Sequence, residues 1–438
     1  MKQLIITLIF IIPTIVAQAQ ADTLKLSVNQ AVETGLKNRF DLKANQYNIS
    51  VAQNQITEDR KQWLPEISVS GNLTYNTQLQ KTVVPAGVLG NEKPMSVSLS
   101  TKYNSVYSLS LNQFVFNPTL SVKTNLSKNK LELENEKVRA SEIEIKNQIK
   151  EAYLNVLLKN LQLEIAENDQ NRYREYENLA KGKYQYGKML ENDYLKAKLD
   201  YENTKVTTQK LLQNYQLAVN YLKYMMNIES KTEIVLTDSL SFLANCGSNF
   251  QKALTINNRT EIKQLQLEQQ NDKLQIKNAR KNNWPTVSLF ANYSQEFQNN
   301  RLHYGEDQSW NPYSYVGVQL SIPISSHLRE NNNIKKYQFR LEQTAMQVQQ
   351  TKEDISFEIE KAGTNLDNAL INMKITYKNY KLSGQIYDNQ KQQYQLGGFD
   401  YDHLLDTEKS LNTAEQNYIQ SVYDYLIAKL YYEKALGE

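Results

Sequence analysis

Residues 65–79 read Pro65-Glu66-Ile67-Ser68-Val69-Ser70-Gly71-Asn72-Leu73-Thr74-Tyr75-Asn76-Thr77-Gln78-Leu79. The odd positions from Ile67 to Leu79 are mostly apolar, and the even positions from Ser68 to Gln78 are all polar. A period of two predicts a strand with one apolar face and one wet face. The next segment alternates likewise, with Val97, Leu99, Tyr103, Tyr107, Leu109 and Leu111 against Ser96, Ser98, Ser100, Asn104, Ser108 and Ser110. A polar loop from Pro85 to Pro94 separates the two. Further along, Val287, Leu289, Ala291 and Tyr293 share one face, and Val316, Val318, Leu320 and Ile322 share another, on either side of a loop from Asn299 to Pro312. This is the pattern of strands that cross an outer membrane, apolar toward lipid and polar toward a lumen, with 29 tyrosines available for interfacial belts. The same alternation suits a half-buried sheet packed on helices, and pattern alone leaves both open.

The two strand pairs belong to a duplication. A shift of 220 residues lays Asn38-Arg39 on Asn258-Arg259, Arg60-Lys61 on Arg280-Lys281, Pro65 on Pro285 and Asn72 on Asn292. A shift of 210 lays Tyr184-Gln185 and Gly187 on Tyr394-Gln395 and Gly397. Such a period is far longer than a solenoid unit. Each copy reads as helix, strand pair, long helix, tight turn, long helix.

The helical parts are heptad-like. From Ile355 a seam runs through Ile359, Ala362, Leu366, Ala369, Met373, Thr376, Tyr380, Ser383 and Tyr387. The last segment continues through Leu404, Thr407, Leu411, Ala414, Tyr418, Ser421, Tyr425, Ala428, Tyr432 and Ala435, and Tyr194 to Met225 is its counterpart. Bulky Tyr or Leu alternating with small Ala or Thr lets helices approach closely. The scarcity of breakers, 14 Gly and 8 Pro in 438 residues, predicts long elements. A helix starting at Pro118 could run about 65 residues, roughly 100 Å. Gly187 and Gly397 are the expected reversals at the tips of antiparallel hairpins.

Composition excludes several classes. A net charge of +3 offers no concentrated basic patch for nucleic acid. The single cysteine, Cys246, excludes an intrachain disulfide framework and a multi-cysteine zinc site. His303, His327 and His403 are scattered, and the chain has no HExxH, no G-x-S-x-G elbow and no Gly-rich phosphate loop. No enzyme, cofactor or metal is therefore expected. Lys2, the apolar run from Leu4 to Val16 and Ala17-Gln18-Ala19 have the zones of a secretory signal peptide, with a membrane anchor as the alternative and no Cys to suggest a lipoprotein.

The expected organisation is a signal peptide over residues 1–19, N-terminal helices of the first repeat over 20–63, and a first strand pair over 64–117. A first long helical hairpin follows over 118–227, then an inter-repeat linker over 228–249 and a second-repeat helix over 250–284. A second strand pair over 285–325 and a second long hairpin over 326–438 complete it. The fold class is mainly α with β. Four strands cannot close an open barrel, since eight already fill their interior, so subunits must share one. Three copies supply about twelve strands, an even number within the outer-membrane range, and their helices, ringed side by side, continue the barrel as a hollow α-barrel.

These features together resemble the TolC-type outer-membrane efflux proteins over nearly the whole chain beyond Leu26-Ser27 and Gln30-Ala31-Val32. The duplicated Pro65 and Pro285, the strand end Leu320-Ser321-Ile322-Pro323-Ile324 and the turn Tyr394-Gln395-Leu396-Gly397 carry the resemblance. It implies a homotrimer in outer-membrane lipid with a twelve-stranded barrel and a periplasmic α-barrel. The entrance of such a duct opens on docking to a periplasmic adaptor and an inner-membrane transporter of the RND or ABC type. Small-molecule efflux and protein secretion are not separated by the sequence. The rival class is a secreted or periplasmic coiled-coil structural or adhesive protein without a channel.

The resemblance also assigns roles. Asp406 falls on one of two acidic positions that ring the family's periplasmic constriction, and His403 occupies the other, so cation selectivity is expected to be weaker and pH-dependent. Asp193 and Tyr394 match a pair that latches the entrance, while the latch's arginine is replaced by Phe399.

Overall fold

The structure, a computed structural model, describes residues 24–437 except 89, 91, 246–255, 306 and 397–400. The expected signal peptide, Cys246, Gly397 and Phe399 lie outside the described residues. The elements are β1 (Leu24–Leu26), α1 (Val28–Asn38), α2 (Phe40–Lys61), β2 (Glu66–Tyr75), β3 (Thr82–Val84), β4 (Met95–Val97), β5 (Tyr103–Phe116), α3 (Pro118–Gln185), α4 (Glu191–Met226), β6 (Ile234–Leu236), α5 (Leu240–Asn245), α6 (Thr260–Lys281), β7 (Thr286–Asn299), β8 (Trp310–Ser321), α7 (Ser326–Gln395) and α8 (Tyr401–Leu436). Among them α3 and α7 are 68 and 70 residues long. No helix among the described residues is long and apolar enough to cross a membrane. The chain divides into two compact units, one of Met1–Lys43, Ala140–Ile256 and Asp354–Glu438, the other of Ala44–Arg139 and Asn257–Glu353.

The second unit holds a four-stranded antiparallel sheet in the order β2-β5-β7-β8. Each hairpin comes from one repeat, and β5 zips to β7 across the duplication. Register places Val69 beside Leu109 and Tyr293, and Ile67 beside Leu111, Ala291 and Val316. That apolar face is turned out: Val69 is 79% exposed and Val316 83%. The opposite face carries Ser108 Oγ 2.7 Å from Ser294 Oγ, Asn292 donating to Ser110 Oγ, and Asn104 donating to Glu296. A sheet in a soluble protein ordinarily buries its apolar face, and this one leaves it open. Two glycines lie under cross-strand rings, where a Cβ on Gly317 would come within 2.5 Å of the Phe290 ring and one on Gly71 within 2.9 Å of Tyr107. β2 and β8 each have a strand on one side only within the sheet.

The alternation suggested strands reaching Leu79 and resuming at Ser96. The structure instead ends the β2–β5 ladder at Tyr75 and Tyr103. Beyond it the Asn76 side chain bonds Thr101 O at 2.8 Å, and the residues flanking the Pro85–Pro94 loop form the separate hairpin β3–β4. The Asn76 backbone N–H still donates to Lys102 O at 2.8 Å, and the chain then bends at Thr77 and Gln78.

The first unit is built on α3, α4, α7 and α8. Its main core gathers Ile149, Tyr153, Leu222, Met226 and Leu26, all nearly or fully buried. Gly35 of α1 sits where a Cβ would lie 2.2 Å from Ile149 Cδ1, which marks the closeness of that helix to α3. The span expected to be a linker contains β6 and α5. β6 pairs in parallel with β1, Leu24 opposite Ile234 through Leu26 opposite Leu236, so the strand before α1 and the strand before α5 lie side by side. Asp238 then accepts from Val28 N at 2.8 Å and from the Tyr153 hydroxyl, which lies 2.9 Å from both Asp238 Oδ2 and Leu26 O. Ser27 closes α1 with a capping box to Gln30.

Candidate functional site

At the α3–α4 reversal Gly187 has φ +68°. Gly187 N donates to Tyr184 O at 2.9 Å and Lys188 N to Lys183 O at 2.8 Å. This is a Schellman closure, and it needs a residue that tolerates a positive φ. A Cβ there would meet nothing within 4 Å, so the constraint is backbone conformation alone.

From this turn back toward residue 169, the paired helices share a second core of Tyr173, Tyr176, Ala180, Ala197, Tyr387, Tyr394, Leu404 and Leu405. Small alanines let the helices close in, and the large side chains between them are chiefly tyrosines. Tyr176 and Tyr387 meet hydroxyl to hydroxyl at 2.9 Å. Lys183 Nζ donates to the Tyr394 hydroxyl at 3.2 Å and lies 4.5 Å from that ring's centre. The exposed Lys196 of α4 pairs with Asp402 of α8 at 2.7 Å, and this hydrogen bond holds the Lys196 pKa above its usual range.

Within this core lies a charged centre. Arg172 Nε donates to Glu408 Oε1 at 2.6 Å. The other arm of the guanidinium bonds Asp169 Oδ1 and reaches Asn412 Oδ1 at 3.3 Å. Glu408 is fully buried, and its Oε2 has no hydrogen-bond partner. Burial is the main influence on Asp169, pushing its carboxyl up to about 6 even though the Arg172 charge pulls the other way. Burial opposes the Arg172 charge, yet Asp169 and Glu408 hold its pKa above the usual value. Burial also raises Glu415 and Asp200, and it raises Tyr173 and Tyr176 with help from Glu408.

Among the residues singled out from sequence, Asp193 is exposed in the first turn of α4, and Tyr394 is buried in the tyrosine core. No hydrogen bond joins Asp193 to Tyr394 among the described residues; the Tyr394 hydroxyl is met by Lys183 instead. His403 and Asp406 are both exposed on α8, with the buried Leu404 and Leu405 between them. The helix therefore turns leucines into the core and the His and Asp outward. Sequence reasoning passed over Asp169, Arg172 and Glu408. The one available signal was that Asp169 and Arg172 stand three apart on α3, a spacing that lets them pair.

No group of His, Cys, Asp and Glu among the described residues is placed to hold a metal ion. No curated protein sequence matches the chain. Solved structures do. CusC, a protein described as undergoing conformational changes on folding and transmembrane channel formation, superposes with a TM-score of 0.74 at 17% identity, covering 93% of this chain and 91% of that one. The outer membrane protein VceC from Vibrio cholerae gives 0.70 at 14% identity, covering 94% and 96%. The open state of the outer membrane channel MtrE from Neisseria gonorrhoeae gives 0.72 at 13%, covering 94% and 88%. These likenesses establish a shared fold. The family described as Outer membrane efflux protein matches residues 31–227 and 252–438. This chain, with its outward apolar sheet and its duplicated long hairpins, belongs to the outer membrane efflux protein family.

Proposed function

We propose that three copies of this chain assemble into one exit duct, which docks to a periplasmic adaptor and an inner-membrane transporter and conducts substrates passively outward. The observation that carries this reading is the four-stranded sheet with an exposed apolar face and two bare edges, β2 and β8. In lipid every backbone donor and acceptor must be satisfied internally, so an open edge needs a partner strand. The β8 edge of one copy meeting the β2 edge of the next closes a ring of about twelve strands, within the range of such barrels. The paired α3–α4 and α7–α8 helices then supply the wall of the periplasmic portion.

In that assembly each exposed α8 side chain is repeated three times. Asp406 and His403 form the rings that set ion preference at the constriction, and Asp193, Tyr394 and the Gly187 turn form the entrance tip. The duct performs no chemistry of its own; its family is one of channels rather than enzymes. Purified protein should migrate as a trimer in mild detergent and give stepwise conductance in planar bilayers. A monomer without conductance contradicts the reading. Extraction by high-salt washing would point to the rival, a soluble coiled-coil protein.

A further inference from the structure

The Arg172 centre holds more carboxylates than cations. From α3 it receives Asp169, Arg172 and the hydroxyls of Tyr173 and Tyr176; from α8, Glu408, Asn412 and Glu415; from α7, Tyr387, with Tyr380 bonded to Glu415. Asp200 of α4 acts on Tyr173 from the remaining side, and its own cationic neighbours are Lys196 and Lys409. One guanidinium thus serves two buried acids, Asp169 and Glu408, and a buried oxygen of Glu408 is left unbonded. Two carboxylates on one guanidinium leave an excess negative charge in a desolvated place, which disfavours the ionised form of Asp169. We propose that the Asp169–Arg172–Glu408 centre binds one proton and acts as a proton-responsive clamp between α3 and α8.

The two acids share one cation at hydrogen-bonding distance, and Asp169 is the carboxyl that takes the proton, with the Glu408 charge beside it favouring that uptake. Burial raises the Asp169 carboxyl in the packed helices to about 6, from an ordinary value of 3.8. A group raised in the packed state contributes stability that is complete below the ordinary value and lost as the pH rises through the raised one. The clamp is therefore tightest in acid and loosens between about pH 4 and pH 7, and the raised Glu415 and Asp200 act in the same direction. In the channel reading, on which this consequence rests, mild acidification holds the paired hairpins together and opposes their separation.

The proton can be read without any conduction. Infrared difference spectra of the full protein in lipid bilayers, titrated from pH 4 to pH 8, should show a protonated-carboxyl C=O band with a midpoint near pH 6. The band should be lost or displaced in Asp169→Asn and in Glu408→Gln, and the helical circular dichroism should be retained. Hydrogen exchange of peptides covering 165–180 and 402–416, corrected for intrinsic rate, should show local opening on the order of tenfold rarer at pH 4.5 than at pH 7.5. In Asp169→Asn, which imitates the protonated form, that pH dependence should shrink. Absence of the band from the native protein, or an unchanged band in both variants, overturns the proposal. A failure of trimerisation or conductance would instead sink only the channel reading, because neither readout depends on it.

Discussion

The same four helices build two cores in one unit, and the two are made on opposite terms. The core around Ile149, Leu222 and Met226 is aliphatic, and its principal buried polar group, the Tyr153 hydroxyl, has two acceptors within 2.9 Å. The core nearer the Gly187 turn is held by tyrosine hydroxyls, Lys183 on Tyr394 and the Arg172 centre. A dry, fully satisfied core has one arrangement that it leaves only by exposing apolar surface. A core of hydroxyls and charges can exchange its partners for water or protons at smaller cost. The first is a fixed joint, and the second is suited to responding.

The sharpest way to break this contrast is to remove the cation. Arg172→Ala strands two buried acids and should cost about 3–5 kcal/mol at neutral pH. Because Asp169 can be neutralised by a proton, the cost should fall clearly when urea unfolding, followed by the helical signal, is repeated at pH 5. A cost equal at both pH values would mean that the acids stay ionised. Leu222→Ala in the aliphatic core should cost about 2–5 kcal/mol, the range for a buried leucine, with no change between the two pH values. Tyr176→Phe removes one hydroxyl of the Tyr176–Tyr387 pair and should cost about 1 kcal/mol, detected as a small shift of the same urea midpoint. The last effect touches conduction rather than stability. Asp406→Ala, outward on α8, should lower cation preference without changing the urea midpoint, and unchanged reversal potentials in asymmetric salt would remove the ring role.

Most of the fold was legible because it is periodic. Period two marked the strands, the heptad steps marked α7 and α8, and matching prolines marked the duplication. What stayed hidden was aperiodic and tertiary. β1 and β6 are three residues each, too short to show alternation, and they are strands only because each finds the other. The end of the ladder at Tyr75 was missed because alternation continues through Thr77 and Gln78, where the chain bends. Glu408 escaped because the α8 seam was read through Thr407, its neighbour. A charged residue beside an apolar seam ordinarily faces water, and only the guanidinium brought by α3 makes its burial tolerable. The outward positions of His403 and Asp406 were foreseeable from their spacing, whereas the Lys183 contact of Tyr394 depends on how two helix ends meet.

The pairing of β1 with β6 also bears on how the chain comes to be folded. Leu24 finds its partner at Ile234, more than two hundred residues later in the order of synthesis and export. The opening strand must therefore wait, unpaired, until over half of the polypeptide has emerged. Contacts so distant along the chain carry a loop-closure cost and slow folding, and exposed strand edges invite wrong partners in the meantime. Closure of this joint is thus a late event. It marks completion of the first long hairpin, since a chain truncated before Ile234 has nothing against which its first strand can lie.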